Sequence, residues 1–326
     1  MSTSTTSSTK VQRDVMGEIV SAVIEHLERG VMPWRKSWKD RKPVAGEGVP
    51  HNAISGRPYN GINFLQLSMV GIRYTSQSWL TFNQAREAGG SVRKGEKGTA
   101  IVFWKPMDKT KREEDGTLKH EKFLMLKTFT VFNVEQCDGL KLPKRRAVVE
   151  PVAPVDPNDA MGPARCLVGA LVGCSVSYGG NQAFYSPGAD AIRLPEPGQF
   201  TSMDHFRATL AHEASHATGA KHRLDRNLTG RFGSDSYAAE ELVAELSAAM
   251  VGARLGLDTS LLEHHSSYLA GWLKVLKDDR KALLTAASLA QKACDYLCPV
   301  AEEVEQPASG SQAQEEQGEQ ALAMAA

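Results

Sequence analysis

Five residues, His212-Glu213-Ala214-Ser215-His216, constrain this chain more than any other stretch. Two histidines four positions apart share one face of a helix. A helix that turns both imidazoles toward one point is built to hold a metal ion, and zinc takes this pair readily. The flanking Leu210, Ala211 and Ala217 predict a partly buried helix, and buried histidines need partners. Glu213 is offset from the histidine face. It is placed to take a proton from water rather than to bind the ion.

A catalytic zinc needs a third protein ligand and an open fourth position. The segment from Tyr237 to Leu246 supplies carboxylates on a second predicted helix, embedded through Leu242, Val243, Leu246 and Met250. Glu241 is the expected third ligand, with Glu240 as the competing choice. Glu245, one turn beyond Glu241, is the expected acceptor for a ligand histidine N–H. Tyr237, one turn before Glu241, is the candidate oxyanion donor; His222 and Arg223 are alternatives. No cysteine lies near the motif. A structural zinc site closed by thiolates is therefore not expected, and Glu213 favours an enzyme.

The net charge of zero conceals a split. Residues 1–146 hold 25 Lys/Arg against 15 Asp/Glu, and the remainder holds 13 against 23. A basic front half joined to an acidic back half predicts two modules with different partners. In the front half, cations and aromatics interleave at Trp34, Lys36, Arg57, Tyr59 and Asn60. Arg93, Lys94 and Lys97 lie in a glycine-rich stretch that would present backbone and charge to phosphates. Cations that track a backbone beside rings that stack on bases are the means by which proteins bind single strands. No residue marks a base-edge reader, so little sequence specificity is expected. The five cysteines are odd in number and form no C-x-x-C pair, which fits reduced thiols in a cytosolic protein. No run is apolar enough for a membrane span.

The expected fold class is α+β. Residues 1–10 are Ser/Thr-rich and expected to be disordered. A front module spans 11–140. It opens with a helix over 11–29, continues as loop over 31–64, and carries a short helix over 79–88. Two strands, 99–105 and 123–134, follow, joined by a long connection over 108–122. Residues 141–158, rich in Pro and Arg/Lys, read as a linker. The back module spans 159–298: a helix over 158–173, a small β-stretch over 175–194, then helices to about Leu297. The tail from 299 to 326 is expected to be disordered.

These stretches together resemble the ArdC-type antirestriction proteins, and the related N-terminal region of plasmid TraC primases. In the back half the resemblance is carried by Ala183–Pro187, Asp190–Pro195, Thr209–Gly219, Arg223–Arg226, Tyr237–Glu245 and Ser267–Leu273. In the front half it is carried by Ser55–Asn63, Trp79–Ala85, Val92–Gly98 and Val131–Val134. It implies a single-stranded-DNA-binding front domain and a mostly helical, zincin-like metallopeptidase back domain with a small sheet. It also implies a plasmid-associated protein that shields incoming DNA from host restriction, with host restriction enzymes as candidate partners. Zn2+ is the implied cofactor, with His212 and His216 as ligands, Glu213 as the catalytic glutamate and Glu241 as the later glutamate. Two other readings stay open: a DNA-binding protein with non-catalytic zinc, and a free-standing zinc peptidase.

Overall fold

The computed structural model describes residues 13–35, 48–112, 118–143, 159–228, 230, 233–261 and 266–299. The expectations for 1–10, for the tail beyond 299, for most of the linker and for Lys36 fall outside these residues.

The front half begins with helix α1 (Val15–Glu28), capped by the Asp14 carboxylate on Gly17 N–H at 2.8 Å. Val15, Ile19, Val23 and Leu27 form its buried stripe, as the spacing predicts. Strand β1 (His51–Asn52), helix α2 (Gly61–Gly71), strand β2 (Ser78–Thr81) and helix α3 (Phe82–Glu87) follow. The expected loop thus gives way to α2 at Gly61, and the expected helix over 79–88 divides into β2 and α3. Strand β3 (Ser91–Val92) precedes two long strands, β4 (Thr99–Arg112) and β5 (Leu118–Asn133), and β3 pairs with β6 (Cys137–Asp138). The sheet order is β1-β2-β5-β4, with β1 and β2 parallel and the other pairs antiparallel. The connection expected over 108–122 is mostly strand, paired out to Arg112 opposite Leu118.

Strand β4 is an edge, and an open edge invites pairing with another chain. Asn63 of α2 closes it near its base. Its side-chain amide donates to Val102 O at 2.7 Å and its carbonyl accepts from Val102 N–H at 2.9 Å. The amide thereby replaces a neighbouring strand's peptide at one register position.

In the back half the expected helix over 158–173 is shorter: a 3-10 turn (Gly162–Ala164) leads into α4 (Arg165–Ala170). Strands β7 (Ser175–Tyr178), β8 (Phe184–Ser186) and β9 (Ala191–Leu194) form a sheet ordered β7-β9-β8. Helices α5 (Met203–Ala217), α6 (Asp235–Leu255), α7 (Ser266–Asp278) and α8 (Lys281–Leu297) complete the fold. Gly256, at φ 69°, ends α6 in the left-handed conformation that suits glycine. No helix among the described residues is long and apolar enough to cross a membrane.

The two halves share one apolar core. It takes in Val15, Ile19 and Leu65 from the front and Phe206, Leu246 and Leu283 from the back. Trp34 packs edge-on against Trp272 of α7, with ring centroids 5.8 Å apart. Gly61 N–H donates to the Gln291 side chain of α8 at 3.0 Å. A smaller core of Tyr59, Leu67, Trp79, Ile101 and Val131 lies within the front half.

Candidate metal centre

Helices α5 and α6 cross closely because small residues line the contact. Ala211, Ala214 and Ser215 are fully buried on α5, as are Ala244, Ser247 and Ala248 on α6. Ser215 Oγ donates to Ala211 O at 2.7 Å, and its hydroxyl lies 2.9 Å from that of Ser247. Each helix has a serine N-cap: Ser202 accepts from His205 N–H and Ser234 from Tyr237 N–H. The caps and the crossing fix α5 against α6, and so fix two histidines against one row of glutamates.

At the crossing, three ligand atoms form a triangle. His212 Nε2 and His216 Nε2 are 3.2 Å apart, and Glu241 Oε2 lies 3.5 Å and 3.7 Å from them. Metal–ligand bonds of about 2.0–2.2 Å in tetrahedral array give ligand–ligand edges of about 3.3–3.6 Å, so the triangle has close to the size of one tetrahedral face. These three residues are the metal-holding group among the described residues. The donor set also suits a cation electrically. Burial opposes charge on His216, yet the Glu240 and Glu241 carboxylates push it up to about 10. Burial likewise opposes charge on His212, and Glu241 raises it. Glu241 itself is held below the usual carboxylate range, against its own burial, by the two histidines.

The outer contacts differ from the expected ones. Glu240, the competing ligand, accepts from His216 Nδ1 at 3.2 Å and faces away from the triangle. Arg226 holds it in place, donating to Glu240 Oε1 and Oε2 at 2.8 Å and 3.0 Å, and reaching Thr218 Oγ1 and Ser215 O at 2.7 Å each. Glu245 was expected to accept the ligand N–H. Its Oε1 stands 3.9 Å from His212 Nδ1, beyond hydrogen-bond range, and that nitrogen has no hydrogen-bond partner among the described residues. The Glu245 carboxylate is instead gripped by Arg35 of the front half, at 2.5 Å and 3.2 Å.

Glu213 is buried and lines the same cavity as the triangle, a cleft of about 980 Å³ walled by Phe184 and Tyr185 of β8 and by Tyr237 and Tyr268. The Tyr237 and Tyr268 hydroxyls are 3.1 Å apart. Burial, with its neighbours, raises both phenols above their ordinary values, so both stay protonated. Tyr268 was not expected at the site. Its signal was its place four residues before Trp272, on whose ring it stacks with centroids 6.0 Å apart. The alternatives for Tyr237 lie elsewhere. Arg223 pairs with Asp190 at 2.8 Å, and His222 is exposed 3.3 Å from the same carboxylate.

Two of the expected DNA-contacting rings are not free to stack on bases. Trp34 is only 4% exposed and Tyr59 only 9%, so neither ring offers a face to a base; the shared core and the smaller core claim them. Asn60 occupies the N-cap position of α2. Arg93 is exposed, but Glu96 and Asp138 meet its charge and it donates to Glu135 O. Arg57, Lys94 and Lys97 are exposed.

A histidine pair on one helix, a glutamate ligand on the next and a small sheet beside the cleft define a zincin-like metallopeptidase domain. The family model described as zincin-like metallopeptidase matches residues 167–289, and that of the N-terminal domain of anti-restriction factor ArdC matches 13–132. The chain belongs to the ArdC family of antirestriction proteins. It is similar to the antirestriction ArdC protein from the R388 plasmid in its metal-free crystal structure, with 35% identity and a TM-score of 0.69, covering 87% of this chain and 97% of that one. Against the Mn(II)-bound structure of that protein the identity is 34% and the TM-score 0.65, covering 90% and 100%. An uncharacterized protein of Sinorhizobium fredii, y4eC, is 36% identical over 87% of this chain and 91% of its own length. A DNA primase TraC of Escherichia coli is 35% identical over 88% of this chain, which spans 27% of that primase's length.

Proposed function

We propose that this chain protects incoming plasmid DNA by two activities: its front half binds single strands, and its back half hydrolyses a peptide substrate at a zinc centre. The observation that carries the catalytic half is the triangle of His212 Nε2, His216 Nε2 and Glu241 Oε2, with Glu213 on the same cleft. Two imidazoles and one carboxylate are the donors that zinc peptidases use, which is why zinc is chosen over other divalent ions. Zinc held there would supply Lewis acidity, making water a nucleophile near neutral pH. Glu213 would take the proton released and pass it to the leaving amine. Tyr237 and Tyr268, which keep their protons, would donate to the oxygen on which charge develops. Glu240, locked by Arg226, holds the His216 ring so that Nε2 faces the triangle.

The basic front half and the family support single-strand binding. Its described surface offers cations such as Arg57, Lys94 and Lys97, which suit backbone contacts, so sequence preference should be weak. Host restriction enzymes, as proteins that meet the same DNA, are the proposed peptide substrates. Glu213→Gln tests the catalytic reading, because glutamine keeps the size but cannot act as a base. Hydrolysis of restriction-enzyme subunits should fall about 10²–10⁴-fold while metal content and oligonucleotide affinity stay as in wild type. Equal cleavage by both proteins would remove Glu213 from the role. Wild type that cleaves nothing yet shields DNA would assign the metal to structure.

A further inference from the structure

With Trp34 and Tyr59 buried, the aromatic surface of the front half lies elsewhere. Beyond Trp104, strands β4 and β5 pair with no other strand among the described residues and run on as a two-stranded ribbon. From Lys105 to Arg112 this is about 27 Å of extended chain at about 3.4 Å per residue. Directly paired residues share a face. One face therefore carries Ile101 with Phe129, Phe103 with Lys127, Lys105 with Met125, and Met107 with Phe123. At its base Ile101 is buried in the smaller core and Phe103 packs against that core, turning edge-on to Phe129 with centroids 5.3 Å apart. Phe129, at the base, is itself 40% exposed, and outward from it Met125 is 36% and Phe123 45% exposed.

We propose that this ribbon face is the single-stranded-DNA platform of the protein, with Phe129 and Phe123 stacking on bases and Lys105 and Lys127 tracking phosphates. The proposal rests on the single-strand reading above and gives it a location. Two physical arguments select the ligand. Two exposed rings bracket two half-buried cations on one face, which suits a polyanion whose bases are free to stack. Duplex DNA keeps its bases stacked on each other and would leave the rings unused. A protein partner or a second copy would have to bury Lys105 and Lys127 among Phe and Met, and unpaired buried charges are strongly unfavourable. The register continues with Lys109 opposite Glu121 and Lys111 opposite Lys119.

The test uses the full chain and a fluorescein-labelled oligothymidylate, read by anisotropy over a range of salt. Phe123→Ala and Phe129→Ala remove exposed rings. Each should weaken binding about 5-fold or more, the effect of losing one base–aromatic stack. Lys127→Gln should flatten the plot of log affinity against log salt by about 0.7, the share of one phosphate contact on a single strand. Phe82→Ala, an equally exposed ring outside the ribbon, should change neither. Circular dichroism and metal content that match wild type show that each variant folds. If wild type binds and the ribbon variants bind with the same affinity and slope, the ribbon is not the platform while single-strand binding stands. If wild type does not bind the oligonucleotide at low salt, single-strand binding itself fails. A ribbon variant that changes self-association but not DNA affinity would make the face a protein contact and overturn the proposal.

Discussion

Arg35→Met should be among the most damaging single changes in the front half, although the residue lies 210 positions from its partner. The Arg35 guanidinium meets both oxygens of Glu245 at 2.5 Å and 3.2 Å, and the two side chains are 4% and 7% exposed. Removing one member of such a pair strands the other charge away from water, at a cost of about 3–5 kcal/mol. Replacing both members by apolar groups removes the stranded charge, so Arg35→Met with Glu245→Leu should recover most of that loss. The metal readout should differ from the stability readout. Glu245 stands 3.9 Å from His212 Nδ1 and makes no hydrogen bond to it, so neither variant removes a bond to a ligand and both should hold zinc as wild type does. Urea unfolding of the metal-free proteins gives the first quantity and chelator competition the second. The reasoning fails if Arg35→Met unfolds within about 0.5 kcal/mol of wild type, the range of an ordinary surface change. It fails equally if the double variant is no more stable than the single.

In chelator competition, Glu241→Ala should lose more zinc affinity than Glu240→Ala, because the first removes a ligand and the second only the group that orients His216; the reverse order would exchange their roles. Glu240→Ala should nonetheless cost more folding stability than an ordinary surface change, since it strands Arg226, whose side chain is 4% exposed. Arg223 holds Asp190 below the usual carboxylate range by hydrogen bonding, with Tyr185 assisting. That stability is present above the ordinary Asp value of about 3.9 and is lost as pH falls through the lower folded value. Asp190→Asn should therefore be less stable than wild type at neutral pH, with the gap narrowing below about pH 4; a gap independent of pH across acid unfolding would contradict the linkage.

Much of the centre was legible because helical spacing is local information. His212 and His216 share a face by covalent geometry alone, and Glu241 follows from one turn of a helix whose neighbours are apolar. The outer contacts were not legible because they depend on rotation about the α6 axis. Glu240 and Glu245 are equally good carboxylates on paper, and only the packed helix shows that Glu240 meets His216 while Glu245 turns to Arg35. Trp34 misled for a related reason. A tryptophan among basic residues reads as a DNA platform until Trp272, far along the chain, covers it. Helix α2 begins inside a stretch rich in Gly, Pro and Asn that signals loop, and tertiary packing of Ile62, Phe64, Leu65 and Leu67 overrides that signal. The ribbon was half legible. Alternation marked the inner parts of both strands, but the charged residues beyond them resemble a loop, since no core selects for an apolar face there.

The central claim, that His212, His216 and Glu241 hold a catalytic metal, is tested most directly by the metal content of purified wild type and His216→Ala after equilibration with zinc and removal of free ion. The account predicts one zinc per wild-type chain and none retained by the variant, with both proteins folded by circular dichroism. Full zinc occupancy in folded His216→Ala would place the metal elsewhere and contradict the account.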